Sequence, residues 1–197
     1  MKNRARARGD PLFRRFRISA MATIFTIGHS TRELSEVISV LQVHGIKTLA
    51  DIRAFPMSRR LPHFNREVLE EELPKVGIQY VWLRDLGGRR KRQTKDSPHI
   101  ALRNDSFRNY ADYMLTKEFE HGIEQLLEID GRGPVAIMCA ERVHFRCHRM
   151  LVSDYLIARG HEVLHIDDEK PPRQHKLMPE ARLVEGQLHY IGDRLFS

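Results

Sequence analysis

The chain has few cysteines and no long apolar run. Its only two cysteines are Cys139 and Cys147, and they lie in one short segment. Small secreted proteins depend on several paired cysteines, so this count argues against a disulfide framework and favours a reducing cytoplasm. No window approaches the run of about 20 apolar residues that a membrane-spanning helix needs. At 197 residues, the sequence predicts a soluble cytoplasmic protein with one core and no membrane partner.

Acidic residues are nearly absent from residues 1–20. This segment holds seven Lys and Arg residues against Asp10 alone, which accounts for most of the net charge of +7. We predict that residues 1–20 are a basic, flexible N-terminal extension and that residues 21–197 form a single α/β domain. Two alternatives stay open: a true start at Met21, and an arm that binds nucleic-acid phosphates.

Strand-like and helix-like segments alternate from residue 22 onward. Apolar, β-branched runs predict five strands at 22–27, 46–52, 78–83, 134–139 and 162–166. Helical periodicity predicts a helix from a Ser30–Glu33 capping box to Gly45, and three more at 66–73, 105–128 (with a break near Thr116) and 147–159. A hairpin is predicted around residues 185–186. This alternation predicts a Rossmann-like three-layer α/β fold with a mostly parallel sheet of about five strands.

Glycine or ionisable residues follow each predicted strand. Ligands of parallel sheets bind beyond the carboxyl ends of the strands, so these positions are where a site is expected. In chain order they are Gly28, His29 and Ser30; Asp51 and Arg53; Gly87 and Gly88; Cys139 and Glu141; and His165 and Asp167.

The most informative segment is Cys139-Ala-Glu-Arg-Val-His-Phe-Arg-Cys-His-Arg149. It leaves a buried strand and enters a helix, whose N-terminal amides favour an anion. Arg149 would hold phosphate, a thiol would act as nucleophile, and Glu141 would carry protons if burial raised its pKa. A purely structural alternative makes Cys139 a small apolar residue at the end of a strand.

Three chemistries compete for this segment. A phosphatase or rhodanese cradle needs Cys-x5-Arg, but Arg146 stands at Cys-x6-Arg. A metal site could use Cys139, Cys147 and His148 with His165, although the chain has no Cys-x2-Cys pair. An acid–base hydrolase would use Glu141 or Asp51 while Arg149 holds phosphate.

A second group lies at Asp51-Ile-Arg-Ala-Phe-Pro-Met-Ser58. Asp51 and Arg53 alternate at a strand end, so both point to one side. Arg53 and Ser58 could bind phosphate, but an ion pair that only anchors the loop is an equal alternative. Gly87-Gly88 opens a basic run at 89–95 that suits a polyanion or is simply solvated. His29 is a potential base, or a hydrogen-bonded structural residue.

Together these segments resemble the signature blocks of a family called domain of unknown function 488. The blocks are Thr26-Ile-Gly-His-Ser30, Asp51-Ile-Arg53 with Pro56 and Ser58, Leu86-Gly87-Gly88, and Cys139-Ala-Glu141 followed by Cys147-His148-Arg149. They cover about residues 22–170. The resemblance implies a Rossmann-like fold and one site built from these motifs, and it implies no particular substrate.

Our leading hypothesis is a hydrolase-type enzyme that acts on a nucleotide or nucleic acid, with an N-glycosidic bond as one target. Its catalytic residues would be Glu141, Asp51, Cys139 and His29; its phosphate-binding residues would be Arg53, Ser58, Gly87, Gly88, Cys147, His148 and Arg149. We expect no cofactor and no bound metal in this reading. The alternatives are a non-catalytic nucleic-acid-binding module and a metal or redox protein built on Cys139, Cys147 and His148.

Overall fold

The computed structural model describes residues 21–191. The predicted basic extension at 1–20 lies outside the described residues, as do the last six residues of the predicted domain.

The central sheet has six strands in the order β3-β2-β4-β1-β5-β6, and a separate β7-β8 hairpin follows it. The first five strands run parallel, and β6 pairs with β5 in the antiparallel direction. The strands are β1 (Thr23–Gly28), β2 (Thr48–Asp51), β3 (Gln79–Trp82), β4 (Val135–Cys139), β5 (Glu162–His165), β6 (Arg173–Gln174), β7 (Ala181–Val184) and β8 (Gln187–Tyr190).

Helices cover both faces of the sheet. They are α1 (Leu34–Val43), α2 (Arg66–Lys75), α3 (Asp105–Tyr113), α4 (Lys117–Asp130) and α5 (Arg149–Ala158); single 3₁₀ turns lie at Pro62–Phe64, Arg84–Leu86 and His144–Arg146. Alternate residues of β4 face opposite cores: Ile137 packs with α3, α4 and α5, and Met138 packs with α1 and α2. Because each residue of β4 is buried on one face or the other, the strand is apolar throughout. The predicted three-layer Rossmann-like fold is confirmed.

The chain order creates a crevice at the carboxyl edge of the sheet. The connection from β1 passes β4 to reach β2, and the connection from β4 passes β1 to reach β5. Outgoing connections from these two neighbouring strands therefore run in opposite directions on opposite faces of the sheet, and such a switch point is where ligands bind.

Several local predictions hold and others are wrong. The break near Thr116 is confirmed, because its side chain accepts from Phe119 N and caps α4. The predicted Ser30–Glu33 capping box is wrong: Glu33 is the N-cap of α1 and pairs with Glu36, while Ser30 adopts a left-handed φ of 53°. Helix α5 begins at Arg149, so the predicted start at Cys147 was two residues early.

Strand β6 was absent from the prediction. It contains only two exposed residues at the edge of the sheet, so it carries no apolar pattern. No helix within residues 21–191 is long and apolar enough to cross a membrane.

Candidate active site at the carboxyl edge of the sheet

Backbone pairing brings the ends of β1 and β4 together. His29 N donates to Cys139 O at 3.0 Å, and Ser30 N donates to Ala140 O at 2.8 Å. A Cβ atom at Gly28 would overlap the backbone of Glu141 and the guanidinium of Arg149. Glycine is therefore required at position 28, because the 140–142 loop crosses directly over it.

Asp51 and Arg53 form a closed ion pair at the end of β2. Arg53 Nε donates to both Asp51 carboxylate oxygens at 2.9 Å, and Arg53 also donates to Phe64 O at 2.7 Å. Tyr80 donates its hydroxyl to the same carboxylate at 2.8 Å. Asp51 is fully buried and Arg53 is 6% exposed. The predicted common orientation of the two side chains is confirmed, and their opposite charges neutralise each other.

His29 extends this closed group. Its ring stacks on Phe64 with centroids 4.1 Å apart, and its Nδ1 donates to Ser30 O at 2.9 Å. The remaining nitrogen, Nε2, lies 3.4 Å from a nitrogen of Arg53. Burial and the Arg53 charge lower the pKa of His29 to about 4, so the ring is neutral at pH 7.

Ser58 orders the loop that follows β2. Its hydroxyl accepts from Leu61 N at 3.1 Å, and its own N–H donates to the Asn65 side chain at 2.6 Å. Both groups stabilise the turn before α2. Its predicted role in phosphate binding stays a prediction.

Two thiols and one imidazole meet beneath the same edge. Cys139 Sγ lies 3.8 Å and Cys147 Sγ lies 3.5 Å from His148 Nδ1. His148 Nε2 lies 2.9 Å from Ile52 O and donates to it, which directs Nδ1 towards both thiols. Gly88 packs against this ring so closely that a Cβ atom would overlap it. The predicted grouping of Cys139, Cys147 and His148 is confirmed as geometry, and all three are buried.

The two thiols differ in acidity. A hydrogen bond from Cys139, reinforced by His148 and Arg149, holds the pKa of Cys147 below its usual range. The same hydrogen bond and burial raise the pKa of Cys139. Arg149 N also donates to Cys147 Sγ at 3.5 Å, at the start of α5. Of the two thiols, Cys147 therefore gives up its proton more readily.

Arg149 organises the loop between β4 and α5. It is 1% exposed, and its guanidinium donates to the carbonyls of Glu141 and Arg142 and to Thr26 Oγ1. Its Nε is a buried nitrogen that has no hydrogen-bond partner within residues 21–191. The carboxylate of Glu141, in contrast, is exposed and forms no hydrogen bond to any described residue. Its predicted role in proton transfer assumed a buried carboxylate, and that burial is absent.

A small cavity opens beside this loop, at the carboxyl ends of β1 and β5. Its volume is about 150 Å³, and its polar lining comprises Thr26, Arg142, His144, Arg149, His165, Asp167 and Arg173. Asp167 is paired with Arg142 at 2.9 Å, which lowers the pKa of the carboxyl. The side chain of Arg173 is exposed and forms no hydrogen bond or ion pair within residues 21–191. Three arginines against one paired acid make the cavity electropositive.

A chain of polar side chains borders this cavity, and the sequence did not indicate it. Thr26 contacts His165, His165 contacts His175, and His175 contacts Asp154, at 2.7, 2.9 and 2.8 Å respectively. His144 stacks on His165 with centroids 3.6 Å apart. Burial lowers the pKa of His144 to about 4 and that of His165 to about 3. Of the three histidines, only His165 was singled out from sequence, because the three share no local spacing.

A second cavity, larger than this one, lies elsewhere. It measures about 600 Å³ and is lined by residues of the 92–112 region, with Arg92, Lys95 and Arg108 balanced by Asp96, Asp105 and Asp112. Arg90 and Arg92 donate to carbonyls of their own loop. Mixed charge and internal bonding make this a poor polyanion surface, so the basic run gives little support to a nucleic-acid-binding module.

Comparison with known families fits this arrangement. The model of the family described as Domain of unknown function DUF488 matches residues 33–156. The chain belongs to this family. The DUF488 match is narrower than the predicted range of 22–170: it includes the ion pair and the thiol–histidine group, and it leaves out Thr26, His165 and His175. No curated protein and no solved structure matches the chain.

Proposed function

We propose that this DUF488 protein is a hydrolase-type enzyme whose substrate carries a phosphate group, such as a nucleotide or nucleic acid. The observation that carries the proposal is the electropositive cavity at the carboxyl ends of β1 and β5. It lies beyond the carboxyl ends of the strands, the side of such sheets on which ligands bind. Cleavage of an N-glycosidic bond is one reaction consistent with it.

The charge balance of the cavity favours an anion. Asp167 is already paired with Arg142, whereas the side chains of Arg149 and Arg173 form no ion pair with a carboxylate of any described residue. Guanidinium groups bind phosphate oxygens well because their donors match the geometry of the anion. A cavity of about 150 Å³ is below the range of about 300–1,000 Å³ typical of small-molecule sites. It therefore suits the phosphate group, with the rest of the substrate outside.

Glu141 is the group that we assign to proton transfer. Glu141 directly precedes Arg142, which lines the cavity, and its carboxylate is exposed to water. Asp51, in contrast, is hydrogen-bonded to Arg53 and Tyr80. In this role Glu141 removes a proton from the attacking water, and the proton is then passed to the leaving group. Arg53, Ser58 and His29 support the loop around β2 in this arrangement.

The proposal is tested with Arg173→Ala and a screen of nucleotides, phosphate esters and damaged oligonucleotides. We expect Arg173→Ala to weaken the binding of inorganic phosphate about tenfold, because it removes one charge-assisted contact worth about 1.4 kcal/mol. Arg132→Ala is the matched control: Arg132 is also exposed, but it precedes β4 and lies at the opposite edge of the sheet. Equal phosphate affinities of the two variants would contradict the proposed anion site.

A second variant tests proton transfer. Glu141→Ala should abolish turnover of any substrate that the screen identifies, and leave phosphate affinity and thermal stability near wild type. Unchanged turnover would remove Glu141 from the mechanism.

A second candidate function, a soft-metal or redox protein, is favoured by one specific observation. Cys139, Cys147 and His148 present two sulfur atoms and a nitrogen atom within 4.8 Å of one another, and the hydrogen bond to Ile52 O fixes the ring as in many metal ligands. Cobalt bound here would show thiolate-to-metal charge-transfer absorption, and Cys147→Ser would remove it. A cobalt spectrum without that band would exclude this metal site.

A further inference from the structure

Three histidines meet beside the electropositive cavity at the carboxyl ends of β1 and β5. His144 lies in the turn after β4, His165 ends β5, and His175 directly follows β6. One nitrogen atom from each lies within 4.8 Å of those of the other two. His165 and His175 are buried and His144 is half-buried. Three separate segments of the chain thus bring three imidazoles close together.

The outer nitrogens of two of these rings already have partners. His175 Nε2 lies 2.8 Å from an oxygen of Asp154, and His165 Nδ1 lies 2.7 Å from Thr26 Oγ1. The inner nitrogens, His175 Nδ1 and His165 Nε2, face each other at 2.9 Å. Metal-binding histidines are held in this way, with the far ring nitrogen bonded to a carboxylate or another polar group.

Asp154 gives an independent indication of a cation. It is fully buried, and its partners are the His175 ring, the Tyr190 hydroxyl and Met178 N. It forms no ion pair with Lys or Arg anywhere in residues 21–191. A buried carboxylate is costly unless its charge is compensated. A cation bound to the other side of His175 would supply that compensation through the imidazole.

We propose that His144, His165 and His175 bind one divalent transition-metal ion, such as zinc, and leave its remaining coordination position open towards the cavity. Imidazole is a preferred ligand of zinc, and three protein ligands with one open position are typical of catalytic rather than structural zinc sites. His144 and His165 also line the cavity, which puts the open position on that side.

To bind the ion, the His144 ring must turn out of its stack on His165, whereas the other two rings move little. Tetrahedral ligands at about 2.0–2.1 Å from zinc have nitrogen atoms about 3.4 Å apart. His165 Nε2 and His175 Nδ1, now 2.9 Å apart, would separate by about 0.5 Å. The ion replaces the proton that these two nitrogens share, and that proton is released to solvent.

Use of this ion in catalysis rests on the proposed function, whereas the binding of the ion does not. A water molecule bound to the metal would lie beside the phosphate held by Arg173, with its pKa lowered by the metal. Phosphate affinity in the Arg173→Ala test is measured on metal-free protein. The anion site and the metal site can therefore fail separately.

The test uses the full chain, stripped with a chelator and titrated with Co²⁺ and then with Zn²⁺. We expect one Co²⁺ per chain, with visible absorption of four-coordinate cobalt and no thiolate charge-transfer band. His144→Ala should weaken Co²⁺ binding by at least about 100-fold, because a direct ligand matters at least as much as the outer partners of ligands. His121→Ala, which removes an exposed histidine on α4, and Cys147→Ser should both bind as wild type does.

The variant at position 144 is chosen because its ring forms no hydrogen bond within residues 21–191, so its loss should leave the fold intact. Zinc should also raise the melting temperature of the wild-type chain by mass action. Absence of a stoichiometric Co²⁺ site, unchanged affinity in His144→Ala, or loss of binding in Cys147→Ser instead would each overturn the proposal.

Discussion

The two halves of the carboxyl edge contain the same kinds of residue, but they differ in whether their charged side chains are paired with one another. Around β2, Asp51, Arg53 and His29 bond to one another and to Phe64, so the ionic and polar groups there are satisfied internally. Around β1 and β5, the side chain of Arg173 forms no hydrogen bond or ion pair with a described residue, and it lines a cavity together with Arg149. The first half is closed and supports the fold; the second half is open and available to a ligand.

This difference shows why a polar residue at a strand end is an ambiguous signal. Asp51 and Arg53 are as suitable for catalysis in the sequence as any residue that follows a strand. Their mutual contact is what turns them into a structural pair. Function is better sought where ionic groups remain uncompensated, because an uncompensated buried or clustered charge must be offset by something that binds.

The largest expected loss of stability comes from breaking the buried Asp51–Arg53 ion pair beside β2. Asp51→Ala would leave the Arg53 guanidinium buried without its carboxylate, and we expect the free energy of unfolding to fall by about 3–5 kcal/mol. Urea unfolding measures this change. Glu70→Ala is the matched control, since it breaks the half-exposed pair with Arg66 and should cost less than about 1 kcal/mol. Similar losses in the two variants would mean that the β2 half is not closed.

The next effect concerns the contact between Gly88 and the thiol–histidine group. Gly88→Ala places a methyl group against the His148 ring, and overpacking of this kind should cost about 1–3 kcal/mol. Gly131→Ala is the control, because the nearest atom to its Cβ would be 3.5 Å away and its stability should change by less than about 0.5 kcal/mol. A Gly88→Ala protein as stable as the control would show that the loop after β3 moves freely away from the ring.

The smallest effect is a pH dependence in the closed half. The pKa of His29 is about 4 in the folded chain, below its usual value of 6.5. Between these values the unfolded chain binds the extra proton, so stability falls as pH decreases through this window. His29 should contribute a loss of about 0.8 kcal/mol between pH 7.5 and 6.0. Urea unfolding at the two pH values should show that His29→Gln lacks this loss of stability and that His121→Gln retains it. An equal pH dependence of stability in the two variants would mean that His29 is exposed to solvent.

The fold was predictable because its signals are local. Apolar runs such as 134–139 and the glycine-terminated helices around them are contiguous in the chain, and an alternation of these elements admits few topologies. The short edge strand β6 escaped prediction because two exposed residues hold no periodic pattern. The cap of α1 was misplaced because Ser30 and Glu33 both suit an N-cap, and only the left-handed backbone at Ser30 decides between them.

The site was predictable only where it is contiguous. Cys139, Cys147 and His148 lie in one short segment, residues 139–148, so a single loop between a strand and a helix brings them together. The exposure of Glu141 could not be inferred, because the direction of its side chain depends on how Arg149 holds the loop by its carbonyls. The grouping of Thr26, His165, His175 and Asp154 depends on four separate elements.

The sequence by itself determined the layered α/β architecture, the family and the edge of the sheet at which a site must lie, because hydrophobic periodicity and strand direction act over short stretches of chain. Tertiary structure decided which charged residues neutralise one another and which stay open. That outcome depends on distances between segments as remote as β1, β5 and α5, and on the water excluded between them, and neither is written in any local pattern of residues.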